Sequence, residues 1–285
     1  MPMGRNRSPS RSIKGYCALN VPAMGYLNAV TTYDAIVPAG GTIDPEFAAI
    51  AGTDQKALIR VGERTILECV LKALRESGVI RNIVVVGSPE VQSKARDFAA
   101  IGVDPGSTGP DNIFKGLDKL NASVPDLDKA LIVTCDLPFI TGESVRKYLE
   151  VCPNDVDICV PVIDEPDFHA SFPGTSSTFV KTRDGVFTIG GMFLMNARHM
   201  PQIRSAIERV FAKRKSKLGM AKLIGPTFIF KFLTKTLTIR DLENKIQSML
   251  GCTGKAVRGA PTELAYDIDD REDYEYAVLL LKGSS

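Results

Sequence analysis

The chain of 285 residues lacks several features that would assign it to a class at once. No apolar run approaches the roughly 18 residues that a membrane-spanning helix needs. Neither sign of charge dominates, because 35 basic residues face 33 acidic ones and leave a formal net charge of +2. We therefore expect neither nucleic acid nor a membrane surface as a partner. The length allows one large α/β domain or two small ones.

Motifs for structural metals, disulfides and covalent catalysis are also missing. The six cysteines are scattered without a C-x-x-C pair, which favours reduced thiols and a cytoplasmic protein over a zinc site or a disulfide framework. His169 and His199 have no ligand motif beside them, and no Ser-His-Asp or Cys-His arrangement is apparent. No G-x-G-x-x-G opens the first helix, which argues against a dehydrogenase.

The first 30 residues differ from the rest of the chain in charge. Four basic residues stand among serines and prolines before residue 15, and no acidic residue precedes Asp34. We expect residues 1–30 to form a basic tail that is partly disordered. A transit peptide is the alternative, since such peptides are also rich in arginine and serine and poor in acids.

Strand and helix patterns alternate through the rest of the chain, which predicts an α/β fold with a parallel sheet and right-handed crossovers. Strands are expected at 35–37, 82–86, 131–135, 156–162, 177–181 and 191–195. Helices are expected at 65–77, 90–99, 142–151, 201–213, 221–234 and 239–250. Asp111 is the predicted N-cap of a further helix, 183–185 is a predicted turn, and 164–174 is a predicted mobile loop.

Three stretches suggest phosphate and metal chemistry. The apolar run 35–37 ends in Ala39, Gly40 and Gly41, whose backbone N–H groups can approach a phosphate, and Lys56 follows to add positive charge. Asp136 follows a buried strand at the edge where α/β sheets bind ligands, and carboxylates there hold Mg²⁺. Capping a turn is the structural alternative for Asp136.

The third stretch lies near the end of the chain. Asp267 and Asp269 alternate with Ile268 on an extended segment, so both carboxylates share one face. Asp270 then begins a helix. A carboxylate from this segment could complete a metal site opened by Asp136.

Together these pieces resemble the MobA-like nucleotidyltransferases: the loop 39–41 with Lys56, the segment 135–138 (Cys-Asp-Leu-Pro) and the segment 267–273 (Asp-Ile-Asp-Asp-Arg-Glu-Asp). The resemblance implies a Rossmann-like three-layer α/β sandwich with a mixed, mostly parallel sheet, of the nucleotide-diphospho-sugar transferase type. It implies a single domain over residues 31–285, with a helical acceptor-side insertion at about 198–252.

The resemblance also implies a role for individual residues. The residues implied to bind the nucleotide are Ala39, Gly40, Gly41, Lys56, Asn112 and Asp136, and those implied in catalysis are Lys56 and Asp136. The implied metal ligands are Asp136 and Asp269, with Asp267 as the fallback. The residues implied to bind the acceptor are Gly190 and Gly191. Asn112 is expected against the base. The implied cofactor is Mg²⁺, and the implied partners are an NTP and a small-molecule acceptor, in a monomer or a homo-oligomer.

The implied reaction moves an NMP from an NTP to a phosphorylated or hydroxylated acceptor and releases pyrophosphate. One departure from the family pattern is that no basic residue stands between Gly41 and Lys56, where the family supplies an arginine. Lys56 or Arg60 could compensate. Two alternatives stay open: a sugar-nucleotide-dependent glycosyltransferase that uses Asp267 and Asp269 as an Asp-x-Asp motif, and a non-catalytic nucleotide-binding regulator.

Overall fold

A computed structural model describes residues 31–213 and 216–283. The basic tail predicted for residues 1–30 lies outside these ranges. The described strands are β1 (Tyr33–Pro38), β2 (Arg60–Val61), β3 (Arg64–Thr65), β4 (Ile80–Val86), β5 (Ile101–Val103), β6 (Lys129–Val133), β7 (Ile158–Asp164), β8 (Val180–Thr182), β9 (Gly185–Ile189), β10 (Met192–Asn196) and β11 (Gly254–Val257).

The helices fill the intervals between these strands and extend past the last one. They are α1 (Pro45–Ala51), α2 (Ile66–Glu76), α3 (Pro89–Arg96), α4 (Gly109–Ser123), α5 (Gly142–Val151), α6 (Glu165–Ser171), α7 (Met200–Lys213), α8 (Lys217–Ile224), α9 (Pro226–Leu233), α10 (Ile239–Leu250) and α11 (Arg271–Gly283). Among the described helices, none combines the length and apolar character needed to cross a lipid bilayer.

Nine strands form one mixed sheet in the order β5-β4-β1-β6-β10-β7-β9-β8, with β11 paired to β7. Strands β5, β4, β1 and β6 run parallel, whereas β10 is antiparallel to both β6 and β7. Helices cover both faces, so the expected Rossmann-like three-layer arrangement is confirmed. The parallel half is buried on both faces, as its continuous apolar runs predict.

Alternation along β1 divides the core into two halves. Ala35 and Val37 pack into the layer that contains α2 and α5, and Ile36 packs into the layer that contains α4. Gly116 of α4 lies so close to Ile36 that a Cβ atom added to Gly116 would be 2.4 Å from Ile36 Cγ2. This close approach requires glycine and sets α4 against the sheet.

Helix α2 shows how local sequence places an element. Thr65 accepts a hydrogen bond from the Glu68 backbone N–H, and the Glu68 carboxylate accepts one from the Thr65 backbone. A capping box of this kind contributes about 1 kcal/mol to stability. The predicted bounds of α5 and α10 are confirmed, as is the cap formed by Thr238 and Asp241.

Two predictions about polar segments are wrong. The N-cap of α4 is Thr108, not Asp111, because the Thr108 hydroxyl accepts the Asp111 backbone N–H and Pro110 fits the first turn. Residues 165–171 of the predicted loop 164–174 form the helix α6, which buries Phe168. Pro166 does not interrupt this helix because it too lies in the first turn.

Other differences concern the number of elements. The predicted helix 221–234 is divided at Gly225 into α8 and α9. Gly225 has a φ of 89°, and Pro226 follows it as the first residue of α9. The turn 183–185 joins β8 to β9, a strand that was not predicted. Helix α1 and strand β11 were also missed. Helices α7 to α10 occupy the segment 198–252, whose acceptor-side role remains a prediction.

Candidate active site

The candidate site lies where two neighbouring parallel strands end. Strands β1 and β6 pair in register through Ile36 and Ile132, so the loops that follow them leave the same edge of the sheet. The loop after β1 contains Ala39, Gly40 and Gly41, and the loop after β6 contains Asp136. The crevice at such an edge is the usual ligand site of an open α/β sheet.

Lys56 reaches this edge because the loop before it folds back. The Lys56 backbone N–H donates to the Gly41 carbonyl at 3.0 Å, and Thr42 forms a β-bridge with Gln55. Helix α1 lies in the segment between Thr42 and Gln55, and the Asp44 carboxylate accepts hydrogen bonds from two backbone N–H groups at the start of this helix. Lys56 therefore begins a single turn of 3₁₀ helix directly beside the glycine loop.

The Lys56 ammonium binds two carboxylates that are distant in sequence. Its Nζ atom lies 2.5 Å from an oxygen of Asp136 and 2.5 Å from an oxygen of Asp269. The side chains of Lys56 and Asp136 are 16% and 13% exposed, whereas that of Asp269 is 70% exposed. Burial by itself lowers the pKa of Lys56, but the Asp136 charge, aided by Asp269, outweighs burial and raises this pKa above its ordinary value.

Asp267 completes a group of three carboxylates. Oxygen atoms of Asp136, Asp267 and Asp269 all lie within 4.8 Å of one another. Burial, followed by the charges of Asp136 and Asp269, raises the pKa of Asp267 to about 7, against the opposing effect of Lys56. The Ile268 backbone N–H donates to the Asp136 carbonyl at 3.1 Å and joins the two segments.

This group of carboxylates suits a divalent cation. Asp136 Oδ1 is buried and has no hydrogen-bond partner among the described residues, so one oxygen is available for a further ligand. Oxygen atoms of this kind are preferred by Mg²⁺. Asp269, the predicted second ligand, and Asp267, the fallback, both lie in the group, so the geometry offers three oxygen donors.

Asn112 lies against the glycine loop. A Cβ atom at Gly40 would be 2.8 Å from the Asn112 amide nitrogen, whereas a Cβ atom at Gly41 would meet nothing within 4 Å. The Asn112 side chain is buried and its carbonyl oxygen accepts the Gly106 backbone N–H at 2.6 Å. The structure thus brings Gly40, Asn112 and the loop 105–108 together at the start of α4.

Gly190 and Gly191 connect β9 to β10 behind the carboxylates. Gly191 donates to the Leu264 carbonyl at 2.6 Å, and Gly190 donates to the Pro161 carbonyl at 3.0 Å. A Cβ atom at Gly191 would be 2.3 Å from Thr134 Oγ1, and one at Gly190 would be 2.7 Å from the Leu264 oxygen. Both glycines are therefore required for close packing against the segments that carry the site.

Comparison with known proteins identifies the family. The profile of the MobA-like NTP transferase domain matches residues 47–218. The chain belongs to this family. The matched region begins after the glycine loop and contains Lys56, Asn112, Asp136 and Gly191. No curated protein matches the sequence at a significant level.

Solved structures show the same fold. A hypothetical transferase from Thermus thermophilus is 28% identical with a TM-score of 0.75, covering 86% of this chain and 100% of its own. A 4-diphosphocytidyl-2C-methyl-D-erythritol synthase from Anaerococcus prevotii is 16% identical (TM-score 0.53, coverages 88% and 99%). The 2-C-methyl-D-erythritol 4-phosphate cytidylyltransferase of Thermus thermophilus is 19% identical (TM-score 0.52, coverages 88% and 100%).

In this MobA-like domain a cleft of about 450 Å³ opens beside the carboxylates. Its walls include hydroxyl and aromatic side chains that the sequence analysis missed: Ser176, Ser177, Thr178, Thr188, Phe168 and Tyr266. The hydroxyl run 175–178 was the available sequence signal. Gly190 and Gly191, predicted to bind the acceptor, adjoin this cleft through Ile189 but are absent from its described lining.

Two further residues affect the interpretation of the site. Asp273 accepts the backbone N–H groups of Asp269 and Asp270 at 3.0 and 3.3 Å, which orients the segment that carries the carboxylates. Arg60, a candidate to replace the absent loop arginine, instead donates to the Glu63 carbonyl in the turn between β2 and β3. Lys56 is the cation that contacts the carboxylate group among the described residues.

Proposed function

We propose that this MobA-like domain moves an NMP from an NTP to a small phosphorylated or hydroxylated acceptor, with Mg²⁺ as cofactor and release of pyrophosphate. One observation carries the proposal: Lys56, Asp136, Asp267 and Asp269 converge beside the glycine loop at the edge of the sheet. Membership of the family supports nucleotidyl transfer, and the convergence supplies the charges that this reaction needs.

The chain's own residues would bind and orient the reactants. Backbone N–H groups of the loop 39–41 would hold the triphosphate, Lys56 would neutralise part of its charge, and Asn112 would approach the base. Catalysis would then consist of positioning and charge stabilisation, with no covalent intermediate on the protein. Gly190 and Gly191 would shape the acceptor side through their close packing rather than by direct contact.

The transfer is an in-line displacement at the α-phosphorus. An acceptor oxygen forms a bond to this phosphorus while the bond to the oxygen bridging the α- and β-phosphates breaks, and pyrophosphate leaves with the bonding electrons. A phosphate acceptor brings a free oxygen, whereas a hydroxyl acceptor must lose its proton to water. Mg²⁺ held by Asp136 and Asp269, with Asp267 beside them, would neutralise charge on the phosphates.

The test measures pyrophosphate release for each NTP with Mg²⁺, a coupled pyrophosphatase and a panel of sugar phosphates, polyol phosphates and alcohols. We expect release with at least one pair, at least 100-fold loss in Asp136→Asn, and no loss in Asp126→Asn, an exposed carboxylate far from the cleft. NTP binding by thermal shift without release for any acceptor would favour the regulator. Hydrolysis of sugar nucleotides alone would favour the glycosyltransferase.

A further inference from the structure

The charge of the cleft beside the carboxylates limits the acceptors that it can hold. Asp267, Asp269, Asp270 and Asp273 line this cleft, and no Lys, Arg or His occurs among the described residues of its lining. Proteins bind phosphate groups through cationic side chains or through free backbone N–H groups. The acidic lining therefore argues against a phosphorylated acceptor.

Lys56 and a metal ion do not reverse this charge. Lys56 supplies one positive charge and Mg²⁺ would supply two, which balances the group of three carboxylates when all of them are ionised. Asp270 and Asp273 then remain as negative charges. The nearest cation along the chain, Arg271, pairs with Glu275 at 2.6 Å instead. A bound NTP would add further negative charge to the site.

The hydrogen bonds of these two carboxylates favour a ligand that donates. Asp273 accepts two backbone N–H groups with one oxygen, and Asp270 accepts those of Glu272 and Asp273 with one oxygen, at 2.9 and 3.1 Å. These N–H groups at the start of α11 are therefore not free to bind an anion. The second oxygen of each carboxylate has no hydrogen-bond partner among the described residues. Ionised carboxylates only accept hydrogen bonds, and a phosphate dianion offers acceptor oxygens rather than donors.

Hydroxyl groups form another part of the cleft lining. The hydroxyls of Ser177 and Thr188 are hydrogen-bonded to each other at 2.8 Å, which fixes the segment 175–178 against β9. Ser176 and Thr178 are exposed in the cleft, and their hydroxyls have no partner within the described part of the chain. Because a hydroxyl both donates and accepts, these two side chains suit the hydroxyls of a ligand.

Aromatic side chains form the buried side of the cleft. Phe168 and Tyr266 are 1% and 2% exposed, and Phe172 packs against both, with ring centroids 5.4 and 4.8 Å apart. They give the cleft an apolar surface for the C–H groups of a ligand. The cleft volume of about 450 Å³ lies in the range of small-molecule sites, roughly 300–1,000 Å³.

We infer that the acceptor is an uncharged polyhydroxylated molecule, a sugar or polyol without phosphate, and that one of its hydroxyls is the nucleophile. Its other hydroxyls would donate to Asp270 and Asp273 and would bind Ser176 and Thr178. The attacking oxygen would form the bond to the α-phosphorus, its proton would pass to water, and pyrophosphate would leave with the bonding electrons. This inference rests on the proposed function for the transfer step and adds the charge of the acceptor.

Matched acceptors measure the effect of this charge. Pyrophosphate release is followed with Mg²⁺ and each NTP for glycerol against glycerol 3-phosphate, ribitol against ribitol 5-phosphate, and glucose against glucose 1-phosphate. We expect kcat/KM for the uncharged member of a productive pair to exceed that for its phosphate at least tenfold, because like charges repel in the cleft. Equal values, or a preference for the phosphate, would overturn this inference and keep the transferase. Absence of transfer to every acceptor would overturn both.

A cation added to the cleft should change this preference. Ser176→Lys places one at an exposed position with no side-chain hydrogen bond to lose, and Thr178→Lys is the second variant in case the first does not fold. We expect either variant to raise kcat/KM for the phosphate, relative to its uncharged partner, at least tenfold. Asn121→Lys adds the same charge at an exposed position of α4 outside the cleft lining and should leave the ratio unchanged.

Circular dichroism checks the folding of all three variants. A wild-type ratio in both cleft variants would overturn the placement of the acceptor in this cleft. Sorbitol against glucamine, its amine analogue, separates an uncharged acceptor from a cationic one. Similar kcat/KM values for the two would support the inference, whereas a tenfold preference for glucamine would overturn it in favour of a cationic acceptor.

Discussion

Lys56 Nζ lies 2.5 Å from Asp136 Oδ2, although 80 positions separate the two residues. The contact joins the loop after β1 to the loop after β6, and a second bond extends it to Asp269 near the end of the chain. Lys56 thereby counters the mutual repulsion of three carboxylates. Under the proposed function this charge would be preorganised for the phosphates of the substrate, and preorganised charge is usually the largest contribution to catalysis.

Replacing Lys56 by methionine keeps the aliphatic chain and removes the charge. We expect Lys56→Met to lower kcat/KM for transfer by roughly 10²–10³-fold. We also expect the thermal stabilisation by Mg²⁺ to persist, because the three carboxylates remain. Steady-state kinetics and thermal shifts with and without MgCl₂ measure the two effects.

Lys72→Met serves as the control, since Lys72 lies on the surface of α2 and pairs only with Glu76 among the described residues. This variant should match the wild type in both measurements. Wild-type kcat/KM in Lys56→Met would contradict the role of Lys56 in transfer.

Gly40 and Gly41 form a matched pair that separates packing from ligand binding. A Cβ atom at Gly40 would press on the Asn112 amide at 2.8 Å and on Pro105 at 3.2 Å. We expect Gly40→Ala to lower the free energy of unfolding by about 1–3 kcal/mol. Gly41→Ala should change it by less than about 0.5 kcal/mol, because that Cβ would meet open space.

The same pair should differ in nucleotide binding. A methyl group at Gly41 would project where the triphosphate is proposed to approach, so we expect a raised KM for NTP in Gly41→Ala at unchanged stability. Chemical denaturation and NTP titration check both halves. An unaltered KM in Gly41→Ala would remove Gly41 from the proposed phosphate loop.

The contact between Gly191 and Thr134 offers a test by compensation. We expect Gly191→Ala to cost about 1–3 kcal/mol of unfolding free energy, since its Cβ would lie 2.3 Å from Thr134 Oγ1. Thr134 Oγ1 is buried and has no hydrogen-bond partner among the described residues, so Thr134→Ala alone should cost little. The double variant should recover part of the loss.

Urea denaturation of the four proteins gives the coupling energy between the two sites. If the losses of unfolding free energy in the two single variants add up to that in the double variant, the strain at Gly191 arises from another contact. Leu137 is an example, because its side chain is the next nearest at 3.2 Å.

Asp157 gives a prediction of pH dependence away from the site. Burial by itself raises the pKa of Asp157, but hydrogen bonds from Thr253 and the neighbouring His199 outweigh burial and lower it. Since the folded-state pKa lies below the unfolded value of about 3.9, the stabilisation is complete above that pH. It is lost as the pH falls through the folded-state pKa.

We expect Asp157→Asn to lower the free energy of unfolding by about 1–2 kcal/mol at pH 7, because the Thr253 backbone and hydroxyl donors lose a charged acceptor. The difference in unfolding free energy between this variant and the wild type should become smaller below pH 4. Asp155→Asn, an exposed neighbour, should show no difference at either pH. Denaturation curves between pH 3 and 7 measure this, and a constant difference would contradict it.

Several features of the site were accessible from the sequence because they depend on strand ends. A parallel strand delivers the residues after it to one edge, which is why Asp136 and the glycine loop could be placed together. Asp267 and Asp269 were assigned to one face by the period of an extended chain. Their convergence on Lys56 agrees with that assignment.

The predictions for residues 164–174 and for the N-cap of α4 are wrong because Pro and Asp each occur in more than one kind of local structure. Pro166 favours a loop in the sequence pattern. Proline also fits the first turn of a helix, however, and burial of Phe168 favours the helix α6. Asp111 resembles an N-cap, but Thr108 stands three residues earlier and takes that position. The short β11 carries no strand pattern of its own and is defined by its pairing with β7.

The amino-acid pattern was enough to predict the parallel strands β1, β4 and β6, the cap of α10, the glycine bend and the family resemblance, because each of these depends on residues close together in the chain. Folding in three dimensions was needed to show that Lys56 contacts Asp269, 213 positions away, and that Asp136, Asp267 and Asp269 form one group of carboxylates. Local propensity acts over one or two turns, whereas strand order and packing decide which distant segments meet.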